Sequence, residues 1–199
     1  NSLPAQAGKK EVIVRGEVFI SKKEFAEINK IQNQKGLPLY ANPRNIAAGS
    51  VRQLDPKVTA KRHLDSFAYD LITDFGQTTH EEKHKILKDL GFKINKNNKY
   101  CKNLEEVFNF HNYWTKERNK LNYEIDGVVV ILNNNKVFEK LGVVGKAPRG
   151  AIAFKFTQSQ STTQILDIKV QVGRTGAMTP VAILKPAQIS CITITRATL

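Results

Sequence analysis

The chain has 199 residues, and its 41% hydrophobic and 25% charged content supports a packed core and excludes wholesale disorder. The formal net charge of +13 favours a polyanionic partner such as nucleic acid, although a lysine-biased genome would produce the same excess. No apolar run approaches 18 residues, and residues 1–10 lack the features of a signal peptide. We therefore expect a cytoplasmic protein with no membrane partner.

The two cysteines and the first residue carry further information. Cys101 and Cys191 lie far apart and form no C-x-x-C pair, which predicts two reduced thiols and neither a disulfide nor a metal site. The first residue is Asn1 and not Met. We therefore expect this chain to be part of a longer protein.

The first part of the chain alternates between predicted strands and helices. Ser21 is the expected N-cap of the first helix, with Glu24 completing a capping box and Gly36 beyond its end. Trp114 and His111 share one face of a long amphipathic helix, which favours core packing for both. Predicted strands cover 11–20, 64–72, 124–132 and 151–157, and predicted helices cover 22–34, 45–54, 81–90, 104–121 and 137–141.

The pattern changes near residue 162. Three closely spaced strands follow at 165–172, 177–184 and 189–195, with turns predicted at 173–176 and 185–186. This change predicts a domain boundary near 158–163, dividing the chain into 1–160 and 161–199. The second part is too short for a closed five-stranded barrel.

Two segments place arginines on one face of a predicted strand or helix. In 15–19 (RGEVF), Arg15 and Glu17 share one face of a strand, where a cross-strand surface pair is the alternative. In 42–55 (NPRNIAAGSVRQLD), Arg44 and Arg52 lie about two helical turns apart and can face phosphates together. The alternative there is a solvated helix face.

Two other segments place charges in apolar strands. In 124–130 (EIDGVVV), Glu124 and Asp126 share one side of the predicted strand, which suggests a cation site, and Gly127 allows close backbone approach. In 151–156 (AIAFKF), Lys155 needs an anionic partner such as a phosphate if it is buried. An outward-pointing lysine is the alternative. No glycine-rich phosphate loop of the Rossmann or P-loop type occurs.

Together these segments resemble the nucleotidyltransferase core of the bacterial NAD-dependent DNA ligases. The runs 42–56 and 172–182 (VGRTGAMTPVA) are the most specific to that family. The resemblance implies an α+β chain: a nucleotidyltransferase (ATP-grasp-like) adenylation domain lacking its N-terminal part, followed by the first strands of an OB-fold. It also implies NAD as AMP donor, Mg²⁺ as cofactor, nicked duplex DNA as partner and a monomeric protein. Zinc is implied only for a C-terminal region of the family that lies outside this chain.

The resemblance implies a role for each matching residue. Asp126 corresponds to an essential carboxylate tied to metal, with Glu124 as a second metal ligand. Lys155 corresponds to the lysine that contacts the AMP phosphate. The other correspondences are Glu17 for the ribose, Tyr69 for stacking on adenine, Arg44 and Arg52 for nucleotide or DNA phosphates, and Arg118 for a basic residue upstream of the acidic motif.

Three departures from the family pattern qualify this reading. No Lys-x-Asp-Gly motif, which holds the family's nucleophile, precedes Glu17, so we expect this polypeptide to be inactive on its own. Ile131 stands where the family has a lysine, and Lys136 is five residues too late to replace it. Gly150 stands where the family usually has tryptophan, which we expect to affect local packing. A non-catalytic relative is therefore the alternative, and an RNA ligase or capping-type enzyme is a third, disfavoured by the two specific runs.

Overall fold

A computed structural model describes residues 11–157, 160–189 and 192–199. It divides the chain into two compact units, the first ending at Phe156 and the second beginning at Thr157. The first unit mixes α and β structure. Its described helices are Lys22–Gln34 (α1), Pro43–Val51 (α2), Pro56–Ala60 (α3), His80–Asp89 (α4), Leu104–Glu117 (α5) and Asn135–Leu141 (α6). Its described strands are Val14–Phe19 (β1), Asp65–Leu71 (β2), Gly127–Ile131 (β3), Val143–Val144 (β4), Ala147–Pro148 (β5) and Ala151–Lys155 (β6).

The strands of the first unit form antiparallel pairs, β1 with β2, β3 with β6 and β4 with β5. Two small cores lie against the first pair. At one end Ile20 packs with Ile46 and Ala47 of α2. At the other, Ala68 and Leu71 of β2 pack with Leu87 of α4. These contacts hold α2 and α4 against the β1–β2 pair, since burial of apolar surface stabilises each contact.

The β1–β2 ladder contains a bulge. Arg15 pairs with Asp70 and Gly16 pairs with Ala68, so Tyr69 is an extra residue without a partner on β1. A bulge bends the strand and changes the direction of the side chain it carries. Arg15 forms a cross-strand ion pair with Asp70 at 3.7 Å, which is the surface pair considered from the sequence.

The capping box predicted for α1 is wrong in one half. The Ser21 hydroxyl accepts a hydrogen bond from the Glu24 amide, as expected for an N-cap. The Glu24 carboxylate turns away from the helix and accepts a bond from the amide of His63, contacting its ring as well. A complete capping box forms instead at α4, between Thr79 and Glu82.

Several predicted boundaries move. The strand expected at 124–132 begins at Gly127, so Glu124 and Asp126 precede β3 and do not share one of its faces. The helix expected at 45–54 starts at Pro43, because the Asn42 side chain caps its first turn. It ends at Val51. The helix expected to reach residue 121 ends at Glu117 and continues as a 3₁₀ turn.

The second unit is a three-stranded antiparallel sheet, β7 (Ile165–Val172), β8 (Met178–Ile189) and β9 (Ile192–Thr198). The turn at 173–176 is confirmed, with Gly176 at φ 80°. The turn predicted at Lys185 and Pro186 is wrong, because both residues lie within β8. The β8–β9 register is irregular between Ile183 and Ala187, where proline supplies no N–H to the ladder.

The structure also bears on the cysteines, the packed face of α5 and the search for a membrane-spanning helix. Cys101 is a free thiol, and Cys191 lies outside the described residues. Trp114 is buried, and His111 packs on Phe154, in agreement with the core packing predicted for both. Within the described residues, no helix is both long and apolar enough to cross a membrane.

Candidate nucleotide-binding site

The N-terminus of α2 places Arg44 against Asp126. The Asn42 side chain accepts bonds from the amides of Arg44 and Asn45, and Pro43 fits the first helical position, where no N–H is required. The Arg44 guanidinium then reaches the Asp126 carboxylate at 3.5 Å. Both side chains are largely exposed, at 74% and 69%. The contact therefore joins α2 to the segment before β3 while leaving both charges open to a ligand.

Gly127 brings the β3 and β6 backbones unusually close beside this pair. Gly127 is opposite Lys155, and a Cβ at Gly127 would lie 2.6 Å from the Phe154 carbonyl oxygen and 2.7 Å from the Lys155 Cα. The Phe156 amide donates to the Asp126 carbonyl at 2.9 Å. The close backbone approach predicted for Gly127 is confirmed, and its partner is β6.

Lys155 points away from the core. It is exposed at the end of β6, and within the described residues it forms no ion pair. The buried-lysine reading is therefore wrong and the outward-pointing alternative is correct. Because side chains alternate across a strand, Phe154 and Phe156 occupy the other face. The Arg118 guanidinium lies 5.0 Å from the centre of the buried Phe156 ring, so this cation lies against the packed aromatic residues.

Glu17 and Tyr69 belong to the β1–β2 pair. Glu17 is exposed and opposite Phe67, and Tyr69 is the exposed bulge residue of β2. The ring of Tyr123 lies 5.3 Å from Phe19 and 5.2 Å from Phe67. Since Tyr123 immediately precedes Glu124, this packing fixes the start of the Asp126 segment against the sheet that carries Glu17.

Arg52 and Glu124 are less closely connected to this group. Arg52 is the C-cap of α2, roughly 12 Å along the helix axis from Arg44, and its Nε donates to the Ala48 carbonyl. Glu124 is exposed and makes no hydrogen bond or ion pair with another described residue. Their predicted roles remain predictions.

The donor set fits a divalent cation that is held partly by a ligand. Mg²⁺ is commonly bound by one or two carboxylates together with substrate phosphates. The exposed Asp126 carboxylate meets that requirement. Within the described part of the chain, no three His, Cys, Asp or Glu side chains gather into a protein-only metal site.

The charged groups between β2 and α4 are more buried than those of the candidate site. Asp70 accepts a bond from Lys83 at 2.9 Å, and both side chains are mostly buried. Burial, together with the neighbouring His84, lowers the pKa of His80 to about 4. His80 is therefore neutral at physiological pH, and the cations facing the site are arginine and lysine.

The model of the NAD-dependent DNA ligase adenylation domain matches residues 1–159. The model of the NAD-dependent DNA ligase OB-fold domain matches residues 162–199. The chain belongs to the NAD-dependent DNA ligase family. The resemblance inferred from the sequence motifs is thereby confirmed.

Curated relatives agree with this membership. A DNA ligase of Clostridioides difficile is 49% identical over 193 residues, covering 96% of this chain and 29% of the relative. DNA ligases of Listeria innocua and Solibacter usitatus are 45% and 48% identical, covering 100% and 94% of this chain and 30% and 28% of those proteins. The chain thus spans less than a third of the ligases it matches.

The two internal departures from the family pattern lie near one end of the β3–β6 pair. Ile131 is opposite Ala151 and, by strand alternation, on the same face as Lys155. Gly150 is buried, and a Cβ there would lie 2.3 Å from the Phe138 ring. Phe138 therefore fills the space beside Gly150.

Sequence reasoning did not find three features of this site. It did not find the Tyr69 bulge, the hydrogen bond between His84 and the Tyr69 carbonyl at 3.0 Å, or the bond between His111 and the Lys155 carbonyl at 3.2 Å. Each joins residues that are distant in sequence or depends on pairing register. The helical spacing of His111 showed which face it occupies but not which carbonyl it meets.

Proposed function

We propose that this chain is the adenylate-binding part of an NAD-dependent DNA ligase that seals nicks in duplex DNA. The reaction would pass through enzyme-AMP and DNA-adenylate intermediates. The observation that supports this most directly is the Arg44–Asp126 ion pair, whose aspartate directly precedes Gly127. Gly127 pairs with the exposed Lys155 where β3 and β6 approach closely. Phosphoryl transfer depends on positioned charges of this kind, since catalysis works mainly through orientation and electrostatic stabilisation.

The proposal assigns residues 1–160 to a nucleotidyltransferase (ATP-grasp-like) domain and 161–199 to the start of an OB-fold. It places the protein in the cytoplasm as a monomer, with NAD and nicked DNA as its substrates. The family matches to both segments support this division of labour.

Each site residue then has a chemical task. The Lys155 ammonium contacts the phosphate of AMP. Arg118, which lies against Phe156, keeps the role implied by the family resemblance, a basic residue upstream of the acidic motif. Arg44 holds Asp126 and, together with Arg52, is available to nicotinamide-nucleotide or DNA phosphates, which suit the planar guanidinium.

The β1–β2 pair would hold the nucleoside. Glu17 accepts hydrogen bonds from the ribose hydroxyls. Tyr69, directed outward by the bulge, offers its ring to adenine. Mg²⁺, bound through Asp126 with Glu124 as a second proposed ligand, would neutralise developing phosphate charge.

The lysine nucleophile belongs to none of the motifs in this chain. The only Asp-Gly pair is Asp126–Gly127, and the residue two positions before Asp126 is Glu124. We therefore propose that this polypeptide alone forms no covalent adenylate. Mass spectrometry after incubation with NAD and Mg²⁺ would detect an adduct of AMP, and its appearance would refute this part of the proposal.

Binding of AMP to the 199-residue chain tests the nucleotide site without requiring the nucleophile. Loss of a charged hydrogen bond weakens binding by about tenfold or more, so Lys155→Ala should raise the Kd of AMP by that factor in titration calorimetry. Lys136→Ala removes an equal charge from the exposed α6 and should leave the Kd unchanged. Equal effects of the two substitutions would show that only net charge matters.

The second candidate function is binding of nucleotide or DNA without joining, and Ile131 is the observation that favours it. Ile131 shares the face of Lys155 but provides neither charge nor a hydrogen-bond donor. In the full-length protein, Ile131→Lys should raise the rate of NAD-dependent adenylation, measured as labelled enzyme-AMP. Absence of any gain would indicate a pocket already adapted to isoleucine, and absence of adenylation in both proteins would favour the non-catalytic function.

A further inference from the structure

The peptide group between Lys155 and Phe156 is held from both sides. Its N–H donates to the Asp126 carbonyl at 2.9 Å. Its carbonyl, the Lys155 oxygen, lies 3.2 Å from Nε2 of His111 on α5. Since a carbonyl oxygen can only accept, the imidazole Nε2 carries the proton in this contact. One peptide thus connects the Asp126 segment, the lysine and helix α5.

The His111 ring is itself fixed by aromatic packing. It stacks on Phe154 with ring centres 3.7 Å apart and planes 11° apart, and its centre lies 5.0 Å from that of Phe156. Aromatic stacking of this kind restricts the ring and adds to its burial energy. The donor that meets the Lys155 carbonyl is therefore held in one orientation.

His111 and the Lys155 ammonium lie on opposite faces of β6. Phe154 and Phe156 face α5, so the lysine between them points away from the helix by strand alternation. His111 cannot touch a ligand bound by Lys155 from this position. Any influence it has on such a ligand must pass through the main chain.

We propose that His111 is a positioning residue that fixes the base of Lys155 relative to Asp126. This inference rests on the proposed function, in which Lys155 contacts the AMP phosphate. Among the described strands, β6 pairs with β3 alone, and therefore on one side only. On the other side, the His111 imidazole donates to the Lys155 carbonyl in place of a neighbouring strand. Because the ammonium is attached to this backbone, a shift of the backbone here would move the ammonium.

Two substitutions separate the hydrogen bond from the ring packing. His111→Phe keeps an aromatic ring on Phe154 and removes the donor, whereas His111→Gln keeps an N–H donor and removes the ring. In the full-length protein, loss of one neutral hydrogen bond should lower the adenylation rate about three- to tenfold in His111→Phe. His111→Gln should remain within about twofold of the parent. A larger loss in the glutamine variant would overturn the proposal, because packing would then be the important property.

A double-mutant cycle with Lys155→Ala tests whether His111 acts through the lysine. Contacting residues that act together show non-additive effects. We expect His111→Phe to cause no further loss of rate once Lys155 is alanine. The same fold-loss in both backgrounds would overturn the proposal and assign His111 a general structural role.

Hydrogen exchange distinguishes failure of this inference from failure of the proposed function. The segment 151–157 of the full-length protein should exchange faster in His111→Phe than in the parent or His111→Gln, whatever the activity of Lys155→Ala. Unchanged exchange would overturn the positioning contact. A Lys155→Ala variant with an unchanged adenylation rate would instead overturn the proposed role of the lysine in adenylation.

Discussion

At the scale of single residues, glycine and asparagine decide how closely the charged groups of the site approach one another. Asn42 caps α2 and so fixes the backbone position from which the Arg44 side chain reaches Asp126. Gly127 leaves no room for a side chain between β3 and β6. The charges themselves are solvent-exposed, so their geometry depends on this backbone and not on burial of the ions.

Substitution of Gly127 tests that dependence. Gly127→Ala would place a methyl group against the β6 backbone, and we expect overpacking to lower the free energy of unfolding by about 2 kcal/mol or more. Gly49→Ala in α2 is the matched control, because a Cβ there meets no atom within 4 Å. It should be neutral or stabilising by up to about 1 kcal/mol. Urea denaturation measures both, and an equally stable Gly127→Ala protein would contradict the observed approach.

At the scale of elements, α4 contacts the β1–β2 pair and the loop that follows β3. Its capping box begins at Thr79, and the His80 amide donates to the carbonyl of Asn133, beyond the end of β3. Leu87 on the same helix packs beneath β2. The helix therefore joins the sheet that carries Tyr69 to the loop that follows Ile131.

The neutral state of His80 makes this junction sensitive to acid. Its folded pKa of about 4 lies below the ordinary 6.5, so the unfolded chain binds the proton more tightly. Its contribution is complete above pH 6.5 and is lost as pH falls toward 4. Because the ring is only partly buried, we expect a contribution of about 1–2 kcal/mol.

Thermal unfolding between pH 8 and pH 4 measures this contribution. The His80→Gln variant cannot take up the proton, so its Tm should fall less than that of the parent across this range. Comparison at pH 8, where the parent imidazole is neutral, controls for any loss of packing. Parallel Tm curves for the two proteins would contradict the lowered pKa.

At the scale of the whole molecule, positive charge exceeds negative charge by 13. Such an excess favours a polyanion because neutralised phosphates release condensed counterions. The cations predicted for the site are all exposed or half-exposed: Arg44, Arg52, Arg118 and Lys155. Under the proposed function, duplex DNA is the expected polyanion.

Binding to a nicked duplex should accordingly be weak and sensitive to salt. Fluorescence anisotropy should show the affinity of the 199-residue chain falling at least about tenfold between roughly 50 mM and 200 mM salt. Arg52→Gln should reduce the slope of log affinity against log salt by about one if that guanidinium contacts a phosphate. Affinity that does not change with salt would show that the net charge is unrelated to DNA.

The sequence alone determined the family and predicted most of the longer helices and strands, but not α3, β4 or β5. It also named the candidate site residues, whose roles stay predictions. These properties reside in local patterns: alternation in the strands, N-caps such as Ser21, and the specific runs at 42–56 and 172–182. Local patterns were less reliable where a distant partner competed for a side chain. The Glu24 carboxylate binds His63 and so does not complete the capping box. β8 continues through Pro186 because it pairs with a strand on each side.

Only the tertiary structure decided how the site residues meet. The contact of Arg44 with Asp126 and the bond from His111 to Lys155 join residues separated by 82 and 44 positions. The bulge at Tyr69 depends on the register of β1 with β2. Pairing register and helix packing set these contacts, and neither can be read from the spacing of residues along one segment. The structure also showed that Lys155 is exposed, because strand alternation assigns Phe154 and Phe156 to the packed face and leaves the lysine to the other.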